Sequence, residues 1–258
     1  MGSAVSGYNV LEAKVDNDID AVFKHSKETG HREMYLFHGG GHPAHEAFNK
    51  IIRERQRDVM KRDKKQERIE NFERQREKMK KAGYKESSGI ISVLRANVLA
   101  FVTAGPICIV AYILYFIRWG EREWTMNGTN LIFFLALFFA TIFVHELLHG
   151  LGWSLNCKDR WKSIAFGVMW SSLTPYCHCR EPLKFGSYSV GLYLPFCVLG
   201  LGLFAVTMIV PNNTVFLLAV LNMLSAGGDL TIGCYLLKHK NGLILDHPTD
   251  CGFISFEK

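Results

Sequence analysis

The sequence predicts an all-α membrane protein with about four transmembrane helices, a short cytoplasmic strand or hairpin segment, and an N-terminal charged helix. Hydrophobic residues make up 48% of the chain, but they are segregated. Residues 1–95 are polar and charged, whereas residues 96–237 are dominated by long apolar runs. Four of these runs are long enough to cross the ~30 Å hydrocarbon core of a bilayer as helices that rise ~1.5 Å per residue.

The amino-terminal third divides into two predicted parts. Residues 1–43 show weak periodicity and are expected to form a poorly ordered tail. Residues 44–90 are expected to form a basic, charged cytoplasmic helix followed by a linker, "KAGYKESSG" at 81–89. The helical part lacks proline, is rich in good helix formers, and places opposite charges three or four residues apart. Because its apolar positions are sparse, we interpret it as a solvated helix leading to the membrane, with a partner-binding helix as the alternative.

The net charge of +6 belongs to one segment. Residues 51–81 contain thirteen Lys and Arg against seven Asp and Glu, and the rest of the chain is balanced. A basic segment just before a membrane span is typical of the cytoplasmic face, where anionic lipids attract it. No folded nucleic-acid-binding module accompanies the charge, so we expect membrane lipids and no nucleic acid as its partner.

The four predicted spans form one domain over residues 91–258. Their approximate bounds are 96–117, 130–155, 187–210 and 214–237. Because the number of spans is even, both termini lie on one side of the membrane. Lys and Arg are concentrated before the first span and between residues 156 and 186. The positive-inside rule therefore places both termini, and that connecting segment, in the cytoplasm.

The connection between the second and third spans carries a strand-like pattern. The stretch "SIAFGVMWSSLTPYCHC", residues 163–179, is rich in aromatic and β-branched residues with partial alternation. It predicts a strand or hairpin close to the membrane. Backbone of this kind is tolerated at membrane depth only where protein or a wet cavity shields it.

Two histidines and a glutamate interrupt the apolar second span, in "FVHELLHGLGW" at 143–153. In an H-E-x-x-H helix both histidines lie on one face, so His145 and His149 can bind one zinc ion. Glu146 can then act as the general base. Ionisable residues inside a span are costly and are functional candidates by default. The alternative is that both histidines only satisfy neighbouring groups in the helix bundle.

Asp229, in "NMLSAGGDL", is the predicted third metal ligand. Counted at ~1.5 Å per residue, His145 and Asp229 lie ~15 and ~12 Å from the cytoplasmic ends of their spans, so they can meet in one layer. Gly227 and Gly228 are expected to let the second and fourth helices approach closely. The alternative is a glycine-lined packing seam in which Asp229 bonds a neighbour.

A further set of donor residues lies in "PYCHC", residues 175–179. His178 is an alternative ligand, or a group that supports the ligands or faces the substrate; the option of no metal role stays open. We interpret the thiols as structural. Seven scattered cysteines do not form the pattern of a disulfide framework.

Four ordered motifs resemble the putative zincin peptidase family: "HELLHGLGW", "LTPYCHCREPLKFGSY", "SAGGDL" and, at 245–253, "LDHPTDCGF". The resemblance covers roughly residues 96–253. More distantly, the layout is similar to that of the site-2 intramembrane zinc proteases, although the order Gly-Gly-Asp differs from their Asp-Gly pair. This resemblance implies a zinc endopeptidase with His145, His149 and Asp229 as ligands and Glu146 as the base. It also implies that a substrate strand pairs with the edge of the 163–180 segment.

The sequence thus favours a membrane-embedded zinc metalloprotease that hydrolyses peptide bonds of membrane-associated proteins. Two alternatives stay open, which are a catalytically silent membrane scaffold and a metal-ion transporter. Glu146 discriminates between them, because a protease needs a base and a scaffold does not. A transporter would place its ligands along a path, whereas these cluster at one depth. The sequence leaves the oligomeric state open.

Overall fold

Long apolar helices dominate the part of the chain that a computed structural model describes, which is residues 65–121, 128–169 and 174–258. The predicted fold class is confirmed, because the structure is mostly helical, has four helices long and apolar enough to cross a membrane, and adds a few short strands. The described residues belong to one unit, Asp63–Lys258. The predicted tail 1–43 and the beginning of the predicted charged helix lie outside the described residues.

The candidate membrane spans are Leu94–Trp119, Gly128–Ser154, Phe185–Ile209 and Asn213–His239. Every bound lies within two residues of its predicted position. The first two spans are single helices, α2 (Val93–Trp119) and α3 (Gly128–Ser154). Ser92 caps α2 by accepting a hydrogen bond from the Arg95 N–H. Most apolar side chains of these two helices are exposed on the protein, as expected for a surface solvated by lipid.

The last two spans are interrupted helices. The third consists of α4 (Phe185–Pro195), a π-helical stretch (Phe196–Gly202) and α5 (Leu203–Ile209). The π-helical stretch follows Pro195, which has no N–H for the helical ladder. The fourth consists of α6 (Asn213–Ser225), α7 (Gly227–Leu236) and a 3-10 turn (Leu237–His239). Its break, at Ala226, lies three residues before Asp229.

The strands form two separate sheets. β2 (Ile164–Met169) and β3 (Thr174–Cys179) pair as an antiparallel hairpin, which confirms the strand-like pattern of this connection. The other sheet contains β1 (Lys85–Ser88), β4 (Leu183–Lys184), β5 (Leu243–Asp246) and β6 (Phe253–Glu257). It is antiparallel, with the order β1-β6-β5-β4.

The segment expected to be a linker, 81–89, contains β1, so that part of the prediction is wrong. The strand "KESS" is entirely polar and does not alternate, and it is ordered by pairing with β6. Before it, residues 65–81 form a helix, here α1, in agreement with the predicted charged helix. Phe72 of α1 is buried in a small cluster whose other members come from β5 and β6. The end of the charged helix is therefore packed onto the sheet and is not solvated on all sides.

A salt bridge joins α1 to β1. The guanidinium of Arg76 donates two hydrogen bonds of 2.7 Å to the two carboxylate oxygens of Glu86. These hydrogen bonds hold the pKa of Glu86 at about 2, below its ordinary value of 4.5, although partial burial opposes the shift.

The main hydrophobic core lies where the ends of α3, α4 and α7 meet the hairpin and the sheet. Its buried members are Trp153, Cys157, Ile164, Cys179, Leu183, Tyr188, Leu192, Leu236, Ile244 and Phe253. Because α3 enters this core with its last turns, the helix that carries H-E-x-x-H is anchored at that end.

Candidate metal centre

Three ligand-type side chains meet between α3 and the first turn of α7. The Nε2 atoms of His145 and His149 lie 3.1 Å apart. Asp229 places Oδ2 at 3.1 Å from His145 Nε2 and Oδ1 at 3.5 Å from His149 Nε2. The three side chains are 9%, 7% and 17% exposed. This is the one group of three or more metal-ligand residues with such spacing among the described residues, and it could hold a metal ion.

The main chain of α4 orients one of the two histidines. His149 Nδ1–H donates a 2.8 Å hydrogen bond to the carbonyl oxygen of Gly191, which leaves Nε2 facing the cluster. Metal-binding histidines commonly make such a bond with their second nitrogen, because it selects the tautomer and orients the ring. The equivalent atom of His145, Nδ1, is buried and has no hydrogen-bond partner among the described residues.

A very close contact between α3 and α4 allows the hydrogen bond from His149 to the Gly191 carbonyl. A Cβ added to Gly152 would lie 2.5 Å from the Cα of Gly191, so the two glycines mark the closest approach of α3 and α4. Trp153 fills the space beside them. Its ring stacks on His149 with centroids 5.2 Å apart, and its Nε1–H donates a 2.9 Å hydrogen bond to the Tyr188 carbonyl.

The candidate base lies next to the cluster and against the hairpin. Glu146 follows the first histidine on α3, and its carboxylate faces the backbone N–H of Cys177 in β3. Burial raises the pKa of the Cys177 thiol, so this thiol stays protonated at neutral pH. The hairpin therefore presents a main-chain donor, and no charged thiol, to Glu146.

The helix break in the fourth span positions Asp229. Ala226 has φ −77° and ψ 2°, so α6 ends there and Asp229 falls in the first turn of α7. The unpaired N–H groups of a helix start favour a carboxylate. The prediction that Gly227 lies at the contact between the second and fourth spans is wrong. A Cβ added there would lie 2.6 Å from the carbonyl oxygen of Ala100, so this glycine allows α2, and not α3, to approach α7.

His178, the alternative ligand, lies outside the three-residue cluster. Its Nδ1–H donates a 3.0 Å hydrogen bond to Asp246 Oδ2 at the end of β5. The same carboxylate accepts hydrogen bonds from the Tyr188 hydroxyl (2.9 Å) and the Cys179 N–H (3.2 Å). Because neighbouring residues of a strand point to opposite faces, His178 lies on the face of β3 turned away from Cys177.

Sequence reasoning missed two groups that contact His149, which are the Gly191 carbonyl and the Trp153 ring. It also missed the Asp246 carboxylate, which bonds His178. Trp153 directly follows the H-E-x-x-H run, and Asp246 belongs to the quoted "LDHPTDCGF" motif. Both were therefore visible as parts of motifs, but neither had a pattern that assigned it a contact. A backbone carbonyl such as that of Gly191 leaves no signal in side-chain identity.

Comparison with known proteins finds one family match, and its range includes the cluster. The chain shows no significant similarity to a curated protein or to a solved structure. Residues 138–244, a narrower range than the motifs suggested, match a family model described as putative zincin peptidase. That range contains the whole three-residue cluster, and it ends within β5. The family match and the His-His-Asp cluster together indicate a metallopeptidase, and the resemblance to the putative zincin peptidase family is confirmed over residues 138–244.

Proposed function

We propose that this protein is a membrane-embedded zinc endopeptidase of the site-2 type, which cleaves membrane-associated proteins. In this proposal His145, His149 and Asp229 bind zinc, and Glu146 is the general base. The observation that carries the proposal is the spacing of the ligand atoms of these three residues, which come from the second and fourth spans. The two Nε2 atoms are 3.1 Å apart, and each lies close to one oxygen of Asp229, His145 at 3.1 Å from Oδ2 and His149 at 3.5 Å from Oδ1.

This spacing fits a tetrahedral zinc site. Nitrogen and oxygen ligands placed tetrahedrally at ~2.0–2.1 Å from zinc lie about 3.3 Å from one another. Two imidazoles and one carboxylate form a three-ligand set of the catalytic kind, which leaves a fourth position open. The Gly191 carbonyl supports the fit, because it keeps the proton of His149 on Nδ1.

Glu146 is placed to move a proton during peptide hydrolysis. When bound, zinc supplies Lewis-acid activation of water and of the scissile carbonyl. The Glu146 carboxylate would take a proton from the attacking water and pass it to the departing amide nitrogen. The Cys177 N–H opposite this carboxylate would hold it in position on the hairpin side.

The free edge of β2 is the proposed place for the substrate backbone. β2 pairs with β3, and among the described residues no strand pairs with its other edge. Phe166 of β2 reaches α3, since a Cβ added to Gly150 would lie 2.4 Å from its ring. Gly150 is one helical turn after Glu146, so an extended peptide paired with β2 would lie beside α3, across the hairpin from the Cys177 N–H that faces Glu146.

Photo-cross-linking tests this placement. A photoreactive residue at Phe166, which is 47% exposed, should capture substrate in the Glu146→Gln variant. The same residue at Leu94, which is 76% exposed at the start of α2, should capture none. Equal capture at both positions, or none at Phe166, would reject pairing with β2.

We also infer that both termini lie in the cytoplasm. The inference is supported by the exposed basic residues Lys158, Arg160 and Lys162, which directly follow α3. A fluorescent protein fused after Lys258 should fold and fluoresce, and alkaline phosphatase fused there should be inactive. An active phosphatase fusion would show that the termini lie on the opposite side of the membrane, and it would contradict the inference.

The decisive experiment pairs metal content with cleavage. Purified full-length protein should carry about one zinc per chain, and His145→Ala and Asp229→Ala should carry much less. Glu146→Gln should retain zinc and lose cleavage by roughly 10²–10⁴-fold, the usual contribution of a general base. Cleavage is read from uncleaved membrane proteins that accumulate in cells producing the variant.

Glu77→Gln is the matched control, because Glu77 lies on α1 with a 70% exposed side chain. It should keep both zinc and cleavage. Wild-type protein without zinc would overturn the metal site. Bound zinc without any Glu146-dependent cleavage would favour the scaffold or the transporter over the peptidase.

A further inference from the structure

Two buried cysteines lie in contact in the main hydrophobic core, at the end of α3. The Sγ atoms of Cys157 and Cys179 are 3.5 Å apart, and the residues are 4% and 0% exposed. Both are free thiols in the structure. We propose that Cys157 and Cys179 form a reversible disulfide on exposure to a peroxide, and that this bond controls the candidate peptidase site. The second half of the proposal rests on the proposed function.

Each cysteine is attached to an element that forms the site. The Cys157 N–H donates a 3.0 Å hydrogen bond to the Trp153 carbonyl, so Cys157 closes the end of α3. Cys179 ends β3, two residues after Cys177, whose N–H faces Glu146. Alternate residues of a strand share a face, so Cys177 and Cys179 both point toward α3. A bond between the two sulfurs would tie β3 directly to the end of α3.

The two thiols differ in reactivity. The hydrogen bond with Cys179 lowers the pKa of Cys157, and the same contact together with burial raises the pKa of Cys179. A thiolate is the nucleophile in cysteine oxidation, so Cys157 is the attacking residue. Residues 158–162, which follow it directly, are all exposed. Cys157 therefore lies directly before an exposed turn.

The oxidation proceeds in two balanced steps. The Cys157 thiolate attacks one peroxide oxygen, the O–O bond breaks, and the departing hydroxide leaves as water after taking up a proton. The Cys179 sulfur then attacks the resulting sulfenic acid, and a second water leaves with the oxygen and the thiol proton. Two thiols lose two electrons, and one peroxide is reduced to two waters. A dithiol reductant reverses the change by thiol–disulfide exchange.

Closing the bond would pull the hairpin toward the end of α3. The sulfurs are 3.5 Å apart, and a disulfide holds them at about 2.05 Å, so side-chain rotation together with a shift of β3 or of the turn after α3 closes a gap of about 1.5 Å. The Cys177 N–H moves with β3 relative to Glu146. Displacements of about 1 Å at a catalytic group cost up to ~10²-fold in rate. We expect cleavage to fall by between tenfold and a hundredfold, and to return on reduction.

Peptide mapping tests the bond without any substrate. Full-length protein in detergent is treated with hydrogen peroxide, alkylated and digested. The expected product is a peptide pair cross-linked through Cys157 and Cys179, which disappears on reduction. Cys157→Ser and Cys179→Ser should each abolish it, and Cys197→Ser, a change at an exposed cysteine, should not. Two alkylated, unlinked thiols under conditions that oxidise Cys197 would overturn the proposal.

Two measurements on oxidised and then re-reduced wild-type protein test whether the disulfide controls the candidate peptidase site. Oxidation should slow amide hydrogen exchange over residues 174–180, and it should lower Glu146-dependent cleavage reversibly. If the disulfide forms completely and changes neither hydrogen exchange nor cleavage, the claim that it controls the site is overturned. Because mapping and hydrogen exchange need no peptidase activity, failure of the proposed function is distinguishable from failure of the disulfide.

Discussion

The close contact of α3 and α4 can be tested by adding one methyl group at Gly191. In Gly191→Ala the new Cβ would lie 2.1 Å from Cδ1 and 2.3 Å from Nε1 of Trp153. An indole ring is rigid, so it must tilt away or the helices must separate. Either movement strains the stack of Trp153 on His149 and the hydrogen bond from His149 Nδ1 to the Gly191 carbonyl.

The expected cost of Gly191→Ala has two parts. Overpacking of a close-packed site costs ~1–3 kcal/mol. Losing the bond from the buried Trp153 N–H costs ~1–3 kcal/mol, and because the two effects share one movement we expect about 3 kcal/mol in total. Loss of the hydrogen bond that orients a metal-binding histidine lowers metal affinity by ~10–100-fold.

Both expected losses can be measured on the purified protein in detergent. Chelator competition measures the loss of zinc affinity, and thermal unfolding measures the loss of stability. Gly186→Ala is the control on the same helix, because a Cβ there meets no atom within 4 Å. It should leave zinc affinity and melting temperature nearly unchanged. Wild-type zinc affinity in Gly191→Ala would refute the claim that the α3–α4 contact orients His149.

Three further changes test the surroundings of the site. Asp246→Ala removes the acceptor of the buried Tyr188 hydroxyl, and thermal unfolding should show a loss of about 3 kcal/mol. Phe72→Ala empties the small core under α1, so hydrogen exchange over 65–81 should accelerate and stability should fall by ~3–5 kcal/mol. Because the pKa of Glu86 is lowered from 4.5 to about 2, its pair with Arg76 stabilises the fold above pH 4.5, and this contribution is lost as pH falls toward 2. Arg76→Ala should therefore remove about 1 kcal/mol at neutral pH and flatten the acid dependence of unfolding.

Each of these changes has an exposed counterpart. The counterpart of Asp246→Ala is Asp250→Ala, that of Phe72→Ala is Glu70→Ala, and that of Arg76→Ala is Glu77→Ala. All three counterparts alter exposed residues, and they should shift the free energy of unfolding by less than ~0.5 kcal/mol. Equal effects of a change and its counterpart would contradict the contact assigned to the buried residue. An unchanged acid dependence in Arg76→Ala would contradict the pairing with Glu86.

The predicted closeness of His145 and Asp229 is confirmed. Counting from the ends of the second and fourth spans placed His145 and Asp229 in one layer, and the structure places their atoms 3.1 Å apart. This worked because helical rise is constant, so sequence distance converts directly into depth. The roles of these residues as zinc ligands, and of Glu146 as the base, stay predictions.

Other contacts could not be predicted because they depend on which faces pack together. Gly227 was assigned to a contact with α3, but it faces Ala100 of α2. His178 carries a ligand-type side chain next to two cysteines, and it is held by Asp246, 68 residues later in the chain. The polar strand β1 has no strand pattern, and it is ordered by pairing with β6.

The sequence by itself determined the four spans, the hairpin pattern between the second and third, and the shared face of the two histidines. These properties depend on apolar length and helical periodicity, which are local. Only the tertiary structure decided that the Gly191 carbonyl orients His149, that the hairpin amide of Cys177 faces Glu146, and that Cys157 touches Cys179. Such contacts join residues far apart in the chain, and they follow from how helices and strands pack, which local periodicity does not encode.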